Sequence, residues 1–145
     1  MENTIAYKKE LTEILENTPG VVWHRGISRH KVEELIFNCD IGISWRHPAV
    51  DSSLELSTKL LEYGRLGKPA ILNRNPINMK TLGPDYPLYA NTEEEFIKQI
   101  EKAFLFSHIY EKAANILYES CKLFTYSEVY KSLSDYLWRS KNDAN

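Results

Sequence analysis

Cysteine is scarce in this sequence, and its scarcity excludes two kinds of small-protein scaffold. The two cysteines, Cys39 and Cys121, lie far apart, and neither belongs to a CxxC pair. A structural zinc site or a disulfide framework needs several cysteines at short, regular spacings. The 145-residue chain must therefore rely on a hydrophobic core, for which its 43% hydrophobic content is sufficient. So few cysteines are typical of a cytoplasmic protein, which is our expectation here.

The sequence also lacks an excess of charge of either sign. Eighteen Lys and Arg stand against twenty Asp and Glu, which leaves a formal charge of −2. Nucleic acid is drawn to a broad positive field, and this balance does not supply one. We therefore expect no nucleic-acid partner.

Long hydrophobic runs are missing as well. No apolar run approaches the roughly 18 residues that a membrane-spanning helix requires. The N-terminal stretch MENTIAYKKELTEILENT is charged at helical spacing and has neither the apolar stretch nor the small-residue cleavage site of a secretory signal. We expect at most peripheral contact with a membrane.

Hydrophobic periodicity predicts helices that alternate with short strands. An amphipathic helix is predicted over 4–17, a second helix after an N-cap at Ser28, and a third from Ser57 to Leu66, which Gly67 ends. Threonine and glutamate stand at capping-box spacing at 92 and 95 and again at 125 and 128, and the last fifty residues are predicted to be helical. Buried strands are predicted at four places: 21–26, 41–44, 69–72 and 86–89.

Strand and helix units of this length predict parallel strands joined by crossover helices. The expected fold class is α/β, a Rossmann-like parallel sheet with flanking helices, in one domain over 1–145 that ends in C-terminal helices over 107–145. Ligands of such sheets bind beyond the carboxyl ends of the strands. The segments that should hold the functional residues are therefore 25–28, 45–58 and 73–78.

The most informative segment is SSLELSTKLLEYGRLGKPAIL, residues 52–72, which joins a strand-end loop to a helix N-terminus. Amides of Ser57, Thr58 and Lys59 at the helix start favour a phosphate or diphosphate, and Lys59 adds a full positive charge. Glu62 follows on the same side of the helix, where its carboxylate can accept hydrogen bonds from two ribose hydroxyls. The alternative is that Lys59 and Glu62 are a solvent-facing pair with no ligand.

This segment resembles the donor-binding region of the retaining "group 1" glycosyltransferases of the GT-B fold, which carry a pattern like S-x-K-x-x-E-Y-x-x-x-G-K-P-x-I. Three further blocks resemble that family in the same order: VVWHRGIS at 21–28, CDIGIS at 39–44 and FTYSEV at 124–129. The residues that match the main pattern are Ser57, Lys59, Glu62, Tyr63, Gly67, Lys68, Pro69 and Ile71.

The resemblance implies roles for several residues. Glu62 would hold the ribose of a nucleoside-diphosphate sugar such as a UDP-sugar, and the backbone of Arg25, Gly26, Ile27 and Ser28 would read the base. The glutamate that reaches the sugar in the family falls at Leu54, so either Glu55 substitutes for it or sugar recognition differs. The remaining candidates for sugar or phosphate contacts are Arg46, His47 and Asn73.

The resemblance also implies what this sequence does not supply. The arginine and lysine that clamp the departing diphosphate in the family, its first two strands and its acceptor domain have no counterpart among these residues. We therefore expect the donor-binding portion of an enzyme that transfers sugar to a glycan or lipid acceptor, as in polysaccharide biosynthesis. Alone it should be inactive, so we assign no catalytic residue, and we expect it to assemble with itself, an acceptor domain or a partner chain.

Neither a metal nor another cofactor is expected, because the family does without a bound divalent ion and no Asp-x-Asp cluster occurs. The alternative function is a non-catalytic α/β module for assembly or regulation. In that case Lys59, Glu62 and Lys68 would be surface charges only.

Overall fold

A computed structural model describes residues 2–47 and 56–142 of the chain. The backbone falls into two compact units, Met1–Val32 and Glu33–Asn145, and each is described by itself. Within the described ranges the chain forms seven helices and two strands, in this order: α1 (Glu2–Asn17), α2 (Arg29–Asn38), β1 (Gly42–Ser44), α3 (Thr58–Arg65), β2 (Ala70–Leu72), α4 (Pro76–Leu82), α5 (Glu93–Leu105), α6 (Ser107–Lys122) and α7 (Tyr126–Asn142).

The N-terminal unit consists of α1, an irregular segment and the start of α2. The helix predicted over 4–17 is confirmed as α1, and the helix predicted after Ser28 is confirmed as α2. The strand predicted at 21–26 is wrong. Val22 is 76% exposed, and Arg25 adopts a left-handed φ of 56°, so the backbone cannot continue as an extended strand.

The C-terminal unit contains a parallel pair of strands. β1 and β2 align with Gly42 opposite Ala70 and Ser44 opposite Leu72. The strands predicted at 41–44 and 69–72 are therefore confirmed. The strand predicted at 86–89 is reduced to a single parallel bridge between Tyr89 and Leu72.

These elements make the protein mixed α/β, as predicted, but mostly helical. A Rossmann-like sheet has more strands than two, and the described residues do not show them. The reason is local: 21–26 is exposed and bent, and 86–89 consists largely of turns and pairs with β2 only through Tyr89, opposite Leu72. The coarse class of the prediction is correct, and the full sheet is not seen.

The outer edge of β2 is closed partly by a side chain. The Tyr86 hydroxyl accepts a hydrogen bond from Ala70 N at 3.1 Å and donates one to Ala70 O at 2.7 Å. Leu72 completes the edge: its N donates to Leu88 O at 3.4 Å, and its O accepts from Ala90 N at 3.0 Å. No backbone group of these two strand residues is left unpaired at that edge, as a buried strand requires.

The core of the C-terminal unit lies where α3, α6 and β2 meet. Leu60 of α3, Ile71 of β2, and Ala113 and Leu117 of α6 are all buried. Helices α3 and α6 pack closely because Gly64 has no side chain. A Cβ built there would lie 2.2 Å from the Sγ of Cys121, which faces it from α6.

The helix starts follow the expected capping chemistry, with one addition. Thr92 Oγ1 accepts from Glu95 N at 3.2 Å, which confirms the threonine cap of α5. The Glu95 carboxylate accepts from Asn91 N at 2.7 Å, one residue before the amide that a capping box uses. Helix α4 was not predicted. It begins after Asn75, whose side chain accepts from Asn78 N at 2.8 Å, so the segment 73–78 is partly helix instead of loop.

Among the described residues, no helix is long and apolar enough to cross a membrane.

Candidate functional site

The carboxyl end of β1 lies next to the N-terminus of α3, as the α/β pattern predicts. The Ser44 hydroxyl, on the last residue of β1, donates to the Ser57 hydroxyl at 3.1 Å. Ser57 is the N-cap of α3, with extended backbone angles of φ −68° and ψ 124°. Two hydroxyl groups therefore meet at the point where a ligand of a parallel sheet is expected.

Helix α3 starts differently from α4 and α5. The Ser57 side chain is turned toward Ser44 and does not cap its own helix. Among the described residues, no group accepts a hydrogen bond from the amides of Thr58 and Lys59. These amides point outward at the positive end of the helix dipole, an arrangement that favours an anion.

Lys59 and Glu62 lie three residues apart on α3 without pairing. Lys59 is exposed and Glu62 is half-buried. Neither side chain makes an ion pair or a hydrogen bond with any residue in the described part of the chain. Lys59 and Glu62 thus form no ion pair with each other, and the carboxylate oxygens of Glu62 remain able to accept hydrogen bonds.

The loop after β1 is held by Asn73, which follows β2. Its side chain accepts from Arg46 N and donates to Arg46 O, both at 2.7 Å. Asn73 is 4% exposed, and its own carbonyl accepts from the Asn78 side chain at 2.8 Å. The amide of Asn73 therefore fixes the backbone of Arg46, whose side chain is exposed at the strand end.

Trp45 anchors the same loop from the other side. Its indole Nε1 donates to Ala90 O at 3.0 Å, and its ring centroid lies 5.2 Å from that of Phe96. An aromatic ring that packs on one side and donates on the other has little rotational freedom. Trp45 and Asn73 together set where Arg46 and His47 leave the strand.

Several residues of the sequence pattern support the fold instead of facing solvent. The Tyr63 ring covers Gly42, where a Cβ would come within 2.5 Å of it. Burial raises the pKa of Tyr63, an effect that a hydrogen bond with the Ile43 backbone partly opposes. Gly67 adopts a left-handed φ of 67°, and Lys68 N donates to Tyr63 O at 3.0 Å, which ends the helix before β2.

The cysteines are poor nucleophiles. Burial raises the pKa of Cys121 to about 11, and its Sγ lies 3.7 Å from Leu60 O inside the α3–α6 contact. Burial also raises the pKa of Cys39. Both thiols therefore stay protonated at neutral pH, and thiolate catalysis by either is disfavoured.

The residues expected to read a base belong to the N-terminal unit. Arg25 pairs with Glu16, and its guanidinium lies 5.2 Å from the Trp23 ring centroid. Gly26 has open space around it. Ser28 caps α2 by accepting from Lys31 N at 3.3 Å.

The position that should reach the sugar, Leu54 with its neighbour Glu55, lies outside the described residues. Across the described ranges, no group of three or more His, Cys, Asp or Glu residues could hold a metal ion.

No protein-family model matches the chain, and no curated protein matches it significantly. Function is therefore inferred from the chemistry of the strand-end site.

Proposed function

We propose that this chain is the nucleotide-sugar-binding portion of a glycosyltransferase and that the diphosphate of the donor binds at the N-terminus of α3. The observation that carries the proposal is the uncapped first turn of α3, with Glu62 unpaired on the next turn. A helix that served only the fold would be expected to use its N-cap serine as α5 uses Thr92.

The first turn of α3 supplies several donors for a diphosphate. The amides of Thr58 and Lys59 point outward, and the Lys59 ammonium adds a full charge. The hydroxyls of Ser44 and Ser57 stand beside them, 3.1 Å apart. Phosphate oxygens accept several hydrogen bonds at once, so these groups can act on the same ligand.

Glu62 is suited to a sugar that carries two adjacent hydroxyls. A carboxylate has two oxygens and accepts from both hydroxyls of a ribose. Residues three apart on a helix have Cβ atoms about 5–6 Å from each other, so a ligand held at Lys59 extends naturally to Glu62. The nucleoside diphosphate is thus gripped at two chemically different points.

Arg46 is a further cation that follows the carboxyl end of β1. Its backbone is fixed by Asn73 while its side chain is exposed. In a transfer reaction, positive charge beside the departing diphosphate stabilises the leaving group. We propose this role for Arg46, with transfer to a glycan or lipid acceptor completed by an acceptor domain or a partner chain on a fuller Rossmann-like sheet.

The test is a titration of the full chain with UDP, GDP and ADP, each with and without an attached sugar, followed by backbone amide NMR signals. We expect one base to shift the signals of 57–62. Glu62→Gln keeps the size of the side chain but removes the charge, and it should weaken nucleotide binding roughly tenfold. Glu101→Gln, the same change at an exposed position of α5, should leave binding unchanged.

Two outcomes would contradict the proposal. Flat spectra with all nucleotides would mean that the chain is a structural or regulatory module. If the Glu62→Gln and Glu101→Gln variants bind the nucleotide equally tightly, Glu62 does not contact the ribose.

A further inference from the structure

Helix α7 presents an apolar stripe that stays exposed on the described chain. Its exposed apolar and aromatic side chains include Tyr126 at 98%, Tyr130 at 73% and Leu133 at 54%. Val129 and Tyr136 flank them and are also more than half exposed. No side chain of α7 among residues 126–138 is buried.

The spacing of the stripe is that of a helix that packs lengthwise on another helix. Tyr126, Tyr130 and Leu133 are separated by four and then three residues, and Leu137 continues the sequence pattern. Apolar residues at alternating spacings of three and four form the seam of two-helix packing. Val129 and Tyr136 lie along one side of that seam and widen it.

The length of α7 and the cap at its start indicate a regular helix that needs a packing partner. It runs for 17 residues, and Thr125 Oγ1 accepts from Glu128 N at 3.4 Å at its N-terminus. Isolated helices of this length are marginal in water, so most of their stability comes from packing an apolar face. The stripe is the face that α7 has available for such packing.

We infer that two copies of this chain associate through their α7 stripes. The five side chains of the stripe and its flank expose roughly 600 Å² of accessible surface per copy. They are Tyr126, Val129, Tyr130, Leu133 and Tyr136. Two copies would therefore bury about 1,200 Å², the lower end of the range for specific protein interfaces. In a dimer with two-fold symmetry, each copy contributes the same surface, so the α7 stripe of one copy packs against the α7 stripe of the other.

The charges beside the stripe fit a second copy better than a membrane. The described polar side carries Glu128, Lys131 and Asp135, which are of both signs. Helices that lie on anionic lipid are rich in Lys and Arg on their polar face. Mixed charges instead allow two identical helices to approach without a block of like charge, and tyrosines are enriched at protein interfaces.

The first measurement is the mass of the full chain by sedimentation equilibrium over a range of concentrations. We expect a monomer–dimer equilibrium. Tyr130→Ala with Leu133→Ala removes the centre of the stripe while keeping a strong helix former at both positions, and it should weaken dimerisation at least tenfold. Trp138→Ala, which removes an equally exposed aromatic side chain outside the stripe, should leave the dimer unchanged.

Hydrogen exchange measured at low and high protein concentration identifies the surface that is used. Amides of α7 should exchange more slowly as the dimer forms, with far-UV circular dichroism showing that the variants remain helical. A monomer at every concentration would overturn the inference, and so would a dimer that the double variant leaves intact. Binding to anionic lipid vesicles without self-association would overturn it in favour of a membrane surface.

Discussion

The two sides of helix α3 are built for different purposes. Its inner side, with Leu60 and Gly64, lies against α6 and is buried. On its outer side, Lys59 and Glu62 make no ion pair or side-chain hydrogen bond with the described chain, whereas Arg65 at its end pairs with Glu33. A single short sequence pattern therefore holds both residues that build the fold and candidates for ligand binding, and packing against α6 separates the two groups.

Substitutions on the inner side of α3, or on the α6 face that packs against it, should have the largest effect on the free energy of unfolding. Leu117→Ala empties a fully buried position of α6 that packs against α3, and it should lower the free energy of unfolding by about 2–5 kcal/mol. The matched change Leu105→Ala, at a position that is 73% exposed, should cost less than about 0.5 kcal/mol. Urea denaturation of both variants measures the difference, and equal costs would mean that Leu117 is not a core residue.

A smaller effect is expected at the closest approach of the two helices. In Gly64→Ala the added methyl meets the Cys121 Sγ and the Leu117 backbone, which should cost about 1–3 kcal/mol. The better helix propensity of alanine offsets less than about 1 kcal/mol of this. Gly26→Ala, which places a methyl in open space, should leave stability unchanged or raise it slightly in the same thermal or urea melts. A Gly64→Ala protein as stable as the wild type would show that α3 and α6 have room to separate.

The smallest effect on stability is expected on the outer side. Lys59→Ala should change the free energy of unfolding by less than about 0.5 kcal/mol, because Lys59 is exposed. It should nevertheless weaken binding of the preferred nucleotide by roughly tenfold, through the loss of a charge-assisted contact with phosphate. Calorimetric titration measures the affinity, with Lys98→Ala on α5 as the control. Unchanged affinity in both variants would mean that Lys59 has only a solvent-facing role.

Local chemistry was the part of the fold that the sequence predicted well. The Thr92 cap of α5, the serine before α2 and the glycine that ends α3 each act through neighbouring backbone groups, so their effect can be read without tertiary contacts. The Asn75-Pro76 start of α4 belongs to the same kind of signal. It was missed because both residues also favour loops, although asparagine followed by proline is a common helix start.

The strand at 21–26 failed for a different reason. A short apolar run becomes a strand only when neighbouring backbone is placed to pair with it, and sequence periodicity does not contain that information. Val21 and Val22 have strong strand propensity, yet the left-handed φ of Arg25 and the bend at Gly26 break the run. Tertiary context overrides propensity at this place.

The part of the candidate site on helix α3 could be predicted from the sequence, and the part in the loop after β1 could not. Ser57, Lys59 and Glu62 could be placed together because helix geometry alone fixes their relative positions. The link between Asn73 and Arg46 joins residues 27 positions apart, so only the folded chain reveals it. The Asn73 side chain, a candidate for a sugar contact, forms two hydrogen bonds with the Arg46 backbone.

Tyr86 has a consequence for how this architecture could be enlarged. Its hydroxyl performs at Ala70 the donating and accepting that a neighbouring strand would otherwise perform. Adding a longer strand at that edge, in an engineered or a naturally diverging chain, would first require this phenol to leave the interior. Tyr86→Phe would leave the backbone N–H and C=O of Ala70 without hydrogen-bond partners, and the ring would still cover the position that a new strand needs. A single aromatic residue thus blocks strand pairing at the Ala70 end of this edge, by chemistry instead of by chain length.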